Sequence, residues 1–388
     1  MQTSYEVIIF GLGGIGSGAA YWLGRQYGRD VLCLEQFEIG HVRGGSQDHS
    51  RIIRLSYHTP AYVALAQQAY QAWAELEADA AESLIVRTGG LDFFPVNAAI
   101  PSSDYTESMA ACSVPFEWLS AAEVRYRWPQ FHLMDDVQAI YQAESGIAPA
   151  ARCNAAHLRM AQAYGVVLQD NEKVTAVQDS NAEITVITDK ARYQCRYLII
   201  TGGAWSNEAL AHFGWQLPLT VTQEQVTYFA TPDLAAFVPE RFPVWIWMDD
   251  PCYYGFPAYG EAGIKVAQDV GGAEVTAVSR TFTPNPDNAK RVAAFTKRLL
   301  PAGYGPPILA KTCLYTLTPD RDFVIDTLPG HPHIAVAIGA GHAFKFASLI
   351  GKLLGELVVD GATAAELSPF KIDRPILRQT NPPKQFLV

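Results

Sequence analysis

The sequence predicts an α/β protein with two interleaved parts, one of alternating strands and helices and one built on an antiparallel sheet. Three observations predict this fold class: a strand–turn–helix–strand pattern in the first forty residues, alternating aromatic stretches in the middle, and a return of the strand–helix pattern after Cys313. The chain has 388 residues, and at roughly 150 residues per domain this length favours two domains. Since the first pattern occurs near both ends, each domain is expected to be discontinuous.

The first element is an apolar run over 7–10, which is typical of a strand buried on both faces. The glycine-rich segment 11–16 follows directly, and a helix is predicted over 17–26. A second apolar run over 31–34 ends at Glu35, about 20 residues beyond the glycines. This βαβ unit predicts a dinucleotide site, because glycines let the backbone approach a pyrophosphate at a helix N-terminus. Glu35 is expected to accept hydrogen bonds from ribose hydroxyls and to repel a 2′-phosphate, but the motif does not separate NAD from FAD.

Further elements follow from caps and periodicity. Thr59 and Pro60 predict a helix start, with Thr59 as the N-cap. The apolar residues after Pro60 recur at helical spacing and are interpreted as core: Tyr62, Leu65, Ala66, Ala69, Trp73 and Leu76. A helix is predicted over 150–164, closed by Gly165. An apolar strand over 197–201 ends in a Gly-Gly-Ala-Trp turn.

The middle of the chain changes character. Alternating aromatic stretches between about 217 and 270 predict an antiparallel sheet with large side chains on one face: 226–228, 244–247, 253–256 and 264–266. A helix is predicted over 287–300, then strands over 323–326 and 334–338, and an apolar helix over 344–359.

The interleaving of these patterns divides the chain. We expect one domain from residues 1–85, 145–215 and 311–388, and the other from residues 86–144 and 216–310.

Composition excludes several classes of function. The net charge is −10 and there is no Lys/Arg block, which argues against nucleic-acid binding. No apolar run approaches the roughly 20 residues that span a bilayer, and the N-terminus lacks a secretory signal. The six cysteines are scattered without a C-x-x-C pair, so a reducing, cytoplasmic location is expected. His331 and His333 resemble a metal-binding dyad, but Pro332 and an expected loop context argue against it, and no metal is predicted.

Seven segments, taken together in order and spacing, resemble one known family over nearly the whole chain. They are 11–16 (GLGGIG), 50–54 (SRIIR), 202–205 (GGAW), 254–257 (YGFP), 263–265 (GIK), 311–320 (KTCLYTLTPD) and 341–346 (GHAFKF). The family is that of monomeric sarcosine oxidase and N-methyltryptophan oxidase, flavin amine oxidases of the DAO-like superfamily. The resemblance implies FAD rather than NAD, a commonly monomeric protein, and a Rossmann-like FAD-binding domain interleaved with a sheet-based substrate domain.

The two arginines of the segment SRIIR are bracketed by apolar residues in a chain with few charges, so a salt bridge and a functional role are both open from sequence alone. A guanidinium group is a natural partner for a substrate carboxylate. The resemblance implies that Arg54 holds such a carboxylate together with Lys345, and that Arg51 lies beside the flavin ring. Cys313, which on its own is more typical of a small buried residue, matches the position that forms a thioether to FAD.

Lys265 could be a solvated residue on a strand face, but the resemblance implies a cation over the flavin that assists O2 reduction. Tyr254 and Tyr315 are expected to line the substrate cavity, whereas core packing is the better interpretation of Trp245 and Trp247. The resemblance thus implies this catalytic set: Lys265, Arg51, Arg54, Lys345, Tyr254, Asp269 and Tyr315. It implies this cofactor-binding set: Gly11, Gly13, Gly14, Ile15, Gly16, Glu35, Gln36, Ser50, Arg51, Val174, Gly202, Trp205, Cys313, Gly341, His342, Phe344 and Lys345.

Two departures from the family pattern affect the substrate. Asp269 stands four residues after Lys265, where sarcosine-type members carry histidine, and a buried carboxylate there requires a partner. Lys265 or the substrate nitrogen is the expected partner. The loop 44–49 also differs from the histidine-containing loop of the family.

The resemblance implies oxidation of a secondary amino acid, N-methylated or cyclic, by transfer of a hydride equivalent to flavin N5. The product is an imine, and O2 is reduced to H2O2. The alternatives are a dehydrogenase that uses another electron acceptor, a cyclic imino-acid oxidase, and a non-catalytic flavoprotein.

Overall fold

The protein is described by a computed structural model, which covers residues 2–180 and 183–387. The strands are β1 (Ser4–Phe10), β2 (Val31–Leu34), β3 (Arg51–Ile53), β4 (Val86–Arg87), β5 (Gly90–Phe94), β6 (Glu117–Ser120), β7 (Gln138–Gln142), β8 (Gly146–Ala148), β9 (Val167–Gln169), β10 (Val174–Asp179), β11 (Ile184–Thr188), β12 (Arg192–Ile200), β13 (Thr220–Ala230), β14 (Val244–Trp247), β15 (Tyr253–Phe256), β16 (Gly263–Gln268), β17 (Ala273–Glu274), β18 (Pro307–Leu317), β19 (Val324–Leu328) and β20 (His331–Ile338). The α-helices are α1 (Gly14–Tyr27), α2 (Pro60–Ala80), α3 (Ser102–Ala111), α4 (Ala121–Arg127), α5 (Ala150–Ala163), α6 (Ser206–Leu210), α7 (Pro286–Leu299) and α8 (Ala347–Val359).

The first sheet holds the predicted βαβ unit. Its strands run in the order β10-β11-β12-β1-β2-β9, and β20 pairs with β12 and with β19. The pairs β12–β1, β1–β2, β2–β9 and β12–β20 are parallel. Strand β1 is central and buried, as its apolar run predicts, because α1 and α8 pack together beside it. The mixed α/β fold class is therefore confirmed.

The second sheet is built from the aromatic middle of the chain. Its order is β17-β13-β16-β15-β14-β5-β7-β6, with β18 on the other part of β13. The pairing is antiparallel except between β14 and β5, which are parallel. The prediction of an antiparallel sheet was therefore wrong for this one pair of strands. The interpretation of Lys265 as a solvated residue on a strand face was wrong, because Gly263–Ala267 of β16 are all buried.

Burial on both faces of the second sheet has a structural cause. On one face Tyr253 stacks on Phe295 of α7, with ring centroids 4.0 Å apart. On the other face the neighbouring Tyr254 lines a cavity. Because successive side chains of a strand point to opposite faces, both faces of β15 are covered.

A small third sheet has the strand order β3-β8-β4. In sequence, its strands lie between strands of the two larger sheets. It fixes the backbone of Arg51, which pairs with Ala148 in antiparallel register. The domain division remains a prediction. Strand β18 crosses its boundary at 311 and pairs with the second sheet along its length.

The predicted helix signals are confirmed. Thr59 accepts a hydrogen bond from the backbone of Tyr62 at the start of α2, and the apolar stripe of α2 is buried. After α5, Gly165 has a positive φ of 97°, and its N–H donates to the carbonyl of Gln162. Among the described residues, no helix combines the length and the apolar character needed to cross a bilayer.

Candidate active site

A cavity of about 710 Å³ is lined by residues from both large sheets. This volume is within the roughly 300–1,000 Å³ that is typical of small-molecule sites. One part of the lining comes from segments 11–15 and 202–205, which follow strands β1 and β12 of the first sheet. Loop 44–49, turn 339–345 and side chains of the second sheet contribute the rest.

Most of the residues predicted for the site line this cavity. They are Gly11, Gly13, Gly14, Ile15, Glu35, Gln36, Arg51, Arg54, Gly202, Trp205, Tyr254, Asp269, Tyr315, Gly341, His342, Phe344 and Lys345. The predicted residues that do not line it are Gly16, Ser50, Val174, Lys265 and Cys313. Val174 is the most peripheral in topology, because it belongs to the hairpin β10–β11 at the end of the first sheet.

The glycine-rich turn is shaped by close backbone approach. Gly11 has a φ of +93°, and a Cβ there would lie 2.7 Å from the carbonyl oxygen of Thr201. A Cβ on Gly16 would lie 1.9 Å from the carbonyl oxygen of Gly11. Side chains are therefore excluded at both positions, and the turn keeps its backbone at the cavity wall.

The start of α1 offers backbone donors at the cavity. Its N-cap, Gly13, provides no capping side chain, and the N–H of Gly14 donates to Ser46 Oγ at 2.8 Å. Glu35 lies at the end of β2 and accepts from the N–H groups of Leu12 and Phe37, each at 3.0 Å. An uncapped helix start beside a fixed carboxylate suits a pyrophosphate and a ribose, so these residues fit a dinucleotide.

Cys313 lies on β18 directly before two lining residues, Leu314 and Tyr315. Burial raises the pKa of its thiol to about 11, and the positive charge of Arg51 partly opposes this rise. Arg51 donates to the carbonyl oxygens of Ser50 and Gly45, each at 2.8 Å. A cation that favours the thiolate thus lies close to the cysteine.

Lys265 is buried behind the cavity wall, with a side-chain exposure of 2%. Its Nζ lies 2.6 Å from Asp48 Oδ2 and donates to the carbonyl and hydroxyl oxygens of Ser50 at 2.9 and 3.1 Å. Burial lowers the pKa of Lys265 to about 8, although Asp48 opposes the change. The ammonium group of Lys265 therefore forms its ion pair and its hydrogen bonds with residues of the protein itself.

Asp48 is the centre of this cluster, and the sequence analysis did not single it out. It has a φ of 90° and also accepts from Tyr228 Oη at 2.8 Å and from Lys311 Nζ at 3.0 Å. Burial favours the neutral carboxyl, but Lys265 and Arg51 outweigh it and hold the pKa of Asp48 below its ordinary value. The loop that departs from the family pattern thus carries a counterion for several cations.

Arg54 and Lys345 both line the cavity, and they differ in their partners. Arg54 Nη1 lies 3.1 Å from Asp92 Oδ1, and both side chains are buried. Burial raises the pKa of Asp92 despite this neighbour. No carboxylate of the described residues forms an ion pair with Lys345, whose Nζ lies 5.7 Å from the ring centroid of Tyr57. Burial and the nearby Arg54 lower the pKa of Lys345 to about 7.

The prediction that Asp269 pairs with Lys265 within the protein was wrong. Asp269 is held by Arg321, whose Nη2 lies 3.0 and 3.2 Å from its two oxygens. At roughly 3.3 Å per residue, an extended chain separates positions 265 and 269 by about 13 Å. Lys265 pairs with Asp48 instead. The remaining bonds of Arg321 go to the carbonyl oxygens of Ala340 and Phe386.

The aromatic residues divide as predicted between cavity and core. Tyr254 and Tyr315 line the cavity, and burial raises the pKa of both phenols above the ordinary value. Trp245 is 1% exposed and packs in the core of the second sheet, against which Trp247 also packs. Met248 is fully buried.

Asp48, Asp92 and Arg321 were missed by sequence reasoning. Asp92 did carry a signal, since it is an acid inside the apolar run of β5, where every residue is buried. Asp48 and Arg321 lie in polar segments of turn-like composition, and nothing in the local sequence marks them.

Comparisons with known proteins agree over nearly the whole chain. The profile of the family described as FAD dependent oxidoreductase matches residues 6–357. Monomeric sarcosine oxidase of Streptomyces avermitilis is 34% identical over 380 residues, covering 95% of this chain and 97% of that protein. N-methyl-L-tryptophan oxidase of Citrobacter koseri is 28% identical, covering 95% and 99%. Among solved structures, NikD, an unusual amino acid oxidase essential for nikkomycin biosynthesis, has a TM-score of 0.82 at 26% identity, covering 95% and 98%.

Proposed function

Since the chain belongs to the family of FAD-dependent oxidoreductases and acts on CH–NH donors, we propose that its substrate is a secondary amino acid with one carboxylate. The overall reaction converts the amine and O2 into an imine and H2O2. The observation that carries this proposal is the pattern of charge at the cavity. A buried ion pair, Arg54–Asp92, and a partly buried one, Arg321–Asp269, lie near Lys345, which has no ion-pair partner among the described residues.

Within the described ranges, the charged side chains at this end of the cavity leave one cation without a counterion. Arg54 and Arg321 are balanced by Asp92 and Asp269. Lys345 is therefore available for an anion that none of the described residues supplies. Arg54 adds to the recognition, because its buried Nε has no hydrogen-bond partner in the part of the chain that the structure describes. A substrate carboxylate supplies both an anion for Lys345 and an acceptor for Arg54.

FAD is the cofactor of the family, and the residues at the glycine-rich turn fit it. When bound, the flavin supplies the two-electron acceptor for oxidation of the amine. Backbone N–H groups at the start of α1 and the carboxylate of Glu35 would hold the pyrophosphate and the ribose. The turn 339–345 brings His342 and Lys345 to the same cavity.

We further propose that Asp269 adapts the site to a cyclic or bulky secondary amino acid rather than to sarcosine. Arg321 fixes the carboxylate at the cavity wall, where Asp269 retains 18% of its side-chain exposure. An anion at this position favours a protonated amine or an iminium carbon–nitrogen group. The aromatic walls Tyr254 and Tyr315 suit the apolar body of such a substrate.

The substrate proposal is tested by an anaerobic panel of amines, with loss of the oxidised flavin absorbance as the signal. The panel contains sarcosine, N-methyl amino acids, pipecolate and proline, and each acid is matched by its methyl ester as a control without negative charge. We expect cyclic or bulky acids to reduce the flavin faster than sarcosine, and the esters to fail. Efficient reduction by the esters would contradict the role of Lys345, and sarcosine as the best substrate would contradict the role of Asp269.

Covalent attachment of FAD through Cys313 is a separate proposal. It is supported by the position of Cys313 beside the cavity lining, directly before Leu314 and Tyr315; burial raises the pKa of the thiol to about 11, and the nearby Arg51 limits this rise. After acid denaturation, we expect the yellow colour to remain with the precipitated protein. In Cys313→Ala it should appear in the supernatant or be absent, whereas Cys252→Ala, a change at another buried cysteine, should retain it. Release of all colour from the unmodified protein would disprove the attachment.

A further inference from the structure

We propose that Asp179, His331 and His333 form a binding site for one divalent transition-metal ion, with zinc as the fitting example. The site lies in the first sheet and does not depend on the function proposed above. The two histidines were expected in a loop, which speaks against a metal site. That expectation was wrong, because both residues belong to β20, where they lie two positions apart.

The sheet topology explains why these three residues meet. Strand β1 pairs with β12 continuously from Gln194 to Ile200 and occupies one edge of it. On the other edge, β12 pairs first with β11, up to Cys195, and then with β20, from Leu198 onward. The end of the hairpin β10–β11 therefore meets the start of β20 at one junction. Asp179 ends β10 at this junction, opposite Ile184 of β11.

The side chains converge because of strand geometry. Residues two apart in a strand point to the same face, so His331 and His333 present their imidazoles together. Asp179 Oδ2 lies 2.5 Å from Nδ1 of His331, and Oδ1 lies 2.9 Å from Nε2 of His333. One potential ligand atom from each residue lies within 4.8 Å of the other two. Two imidazoles and a carboxylate are thus already assembled on two different chain segments.

The spacing fits a metal ion after small movements. With metal–ligand bonds of roughly 2.0–2.2 Å in tetrahedral geometry, ligand atoms lie about 3.3 Å apart. The two short contacts, which go to different oxygens of Asp179, would therefore lengthen by less than about 1 Å, and the remaining ligand-atom distances, all within 4.8 Å, would shorten by at most about 1.5 Å. The side chain of Asp179 is 3% exposed and well fixed, while His331 and His333 are 27% and 17% exposed. An ion can therefore reach the imidazoles from solvent, and a fourth position remains for water.

The ligand types restrict the metal. Two imidazole nitrogens with one carboxylate favour Zn²⁺, Cu²⁺ or Ni²⁺ over Mg²⁺ and Ca²⁺, which prefer oxygen ligands alone. Phe213 packs edge-on against the ring of His331, with centroids 5.3 Å apart, and limits its rotation. A bound ion would link the hairpin to β20, so its expected effect is to stabilise this junction.

The test measures metal binding to the holoenzyme directly. After removal of metals with EDTA and then of the EDTA, equilibrium dialysis against Zn²⁺ should give one ion per chain, undisturbed by excess Mg²⁺. In His331→Gln and in His333→Gln the affinity should fall at least by the roughly 10-fold to 100-fold that even an outer-shell change causes. The matched control His132→Gln changes an exposed histidine elsewhere and should bind as the unmodified protein does.

A spectroscopic measurement keeps the proposal testable if a variant fails to fold. Cu²⁺ bound to the unmodified protein should show hyperfine coupling to two imidazole nitrogens in its electron paramagnetic resonance spectrum. Coupling to fewer than two would overturn the proposal. So would less than half a Zn²⁺ per chain at 100 µM free zinc, which means a Kd weaker than 100 µM, or an unchanged affinity in both histidine variants.

Discussion

Lys265 and Lys345 both lie beside the cavity, and the protein surrounds them in different ways. Lys265 contacts Asp48 and both oxygens of Ser50, so it has a counterion, which it shares with Lys311, and it makes its hydrogen bonds within the protein. Lys345 has no ion-pair partner among the described residues and lines the cavity. Burial lowers the pKa of both, to about 8 and about 7 respectively.

The difference separates two uses of a buried cation. An ammonium with a built-in counterion is held in one place and gains little from binding a further anion. An ammonium without one is destabilised until a ligand supplies negative charge. We therefore expect Lys265 to act on a step in which charge develops transiently, and Lys345 to act in substrate binding. Substitutions at the two positions should give opposite kinetic patterns.

The largest effect is expected for Lys265→Met. Loss of one preorganised charge is worth roughly 3–4 kcal/mol where negative charge develops, so reoxidation of the reduced flavin by O2 should slow by about 100-fold to 1,000-fold. Anaerobic reduction by substrate should change much less, as stopped-flow absorbance would show. Lys311→Met is the matched control, because Lys311 binds the same carboxylate of Asp48 but is partly exposed. Equal slowing of both half-reactions would instead make Lys265 a general structural residue.

For Lys345→Met we expect the reverse pattern. Removing one partner of a buried charge pair costs about 2–5 kcal/mol, so binding of a carboxylate inhibitor should weaken by about 100-fold, while reoxidation stays within a few-fold. Arg54→Met should weaken the same inhibitor at least as much, because it also leaves Asp92 without its counterion at the cavity. Inhibitor titration of the flavin absorbance measures both. Unchanged affinity in either variant would remove that residue from the carboxylate site.

The pH dependence should separate the two lysines again. Only protonated Lys345 attracts a carboxylate, so inhibitor affinity should be full below pH 7 and fall as the pH rises through about 7, with a limiting slope of tenfold per unit. Burial lowers the pKa of Lys265 to about 8, so reoxidation should decline in a separate transition at higher pH. Lys345→Met should abolish the first transition and retain the second. Coincident transitions would show that one group controls both steps.

The smallest effect is expected for Asp269→Asn. The negative charge of Asp269 raises the pKa of Lys345. Its loss should move the pH transition of carboxylate binding, and with it the profile of flavin reduction, to lower pH by less than about one unit. Asp104→Asn, a change of an exposed acid on α3, is the control for a general charge effect. A profile that overlays that of the unmodified protein would remove Asp269 from the chemistry.

The sequence predicted the parts of this protein that depend on local pattern. The turn at Gly11, the cap at Thr59 and the closure at Gly165 follow from backbone rules that act within a few residues. The ion pair between Asp48 and Lys265 could not be predicted from local sequence, because the two residues are 217 positions apart. They meet only when loop 44–49 lies over the second sheet. Their pairing depends on tertiary packing, which the resemblance to a family did not specify.

The placement of Cys313 on β18 has a consequence for the cofactor. Strand β18 belongs to the second sheet, whereas the glycine-rich turn belongs to the first. A cofactor held at both places spans the two large sheets. With a thioether in place, its ring is fixed to the second sheet, which also carries Tyr254 and Lys265. The ring is then held at a fixed distance from the substrate wall that Tyr254 forms on the same sheet. By linkage, any change that separates the two sheets also weakens binding of the nucleotide end of the cofactor at the glycine-rich turn.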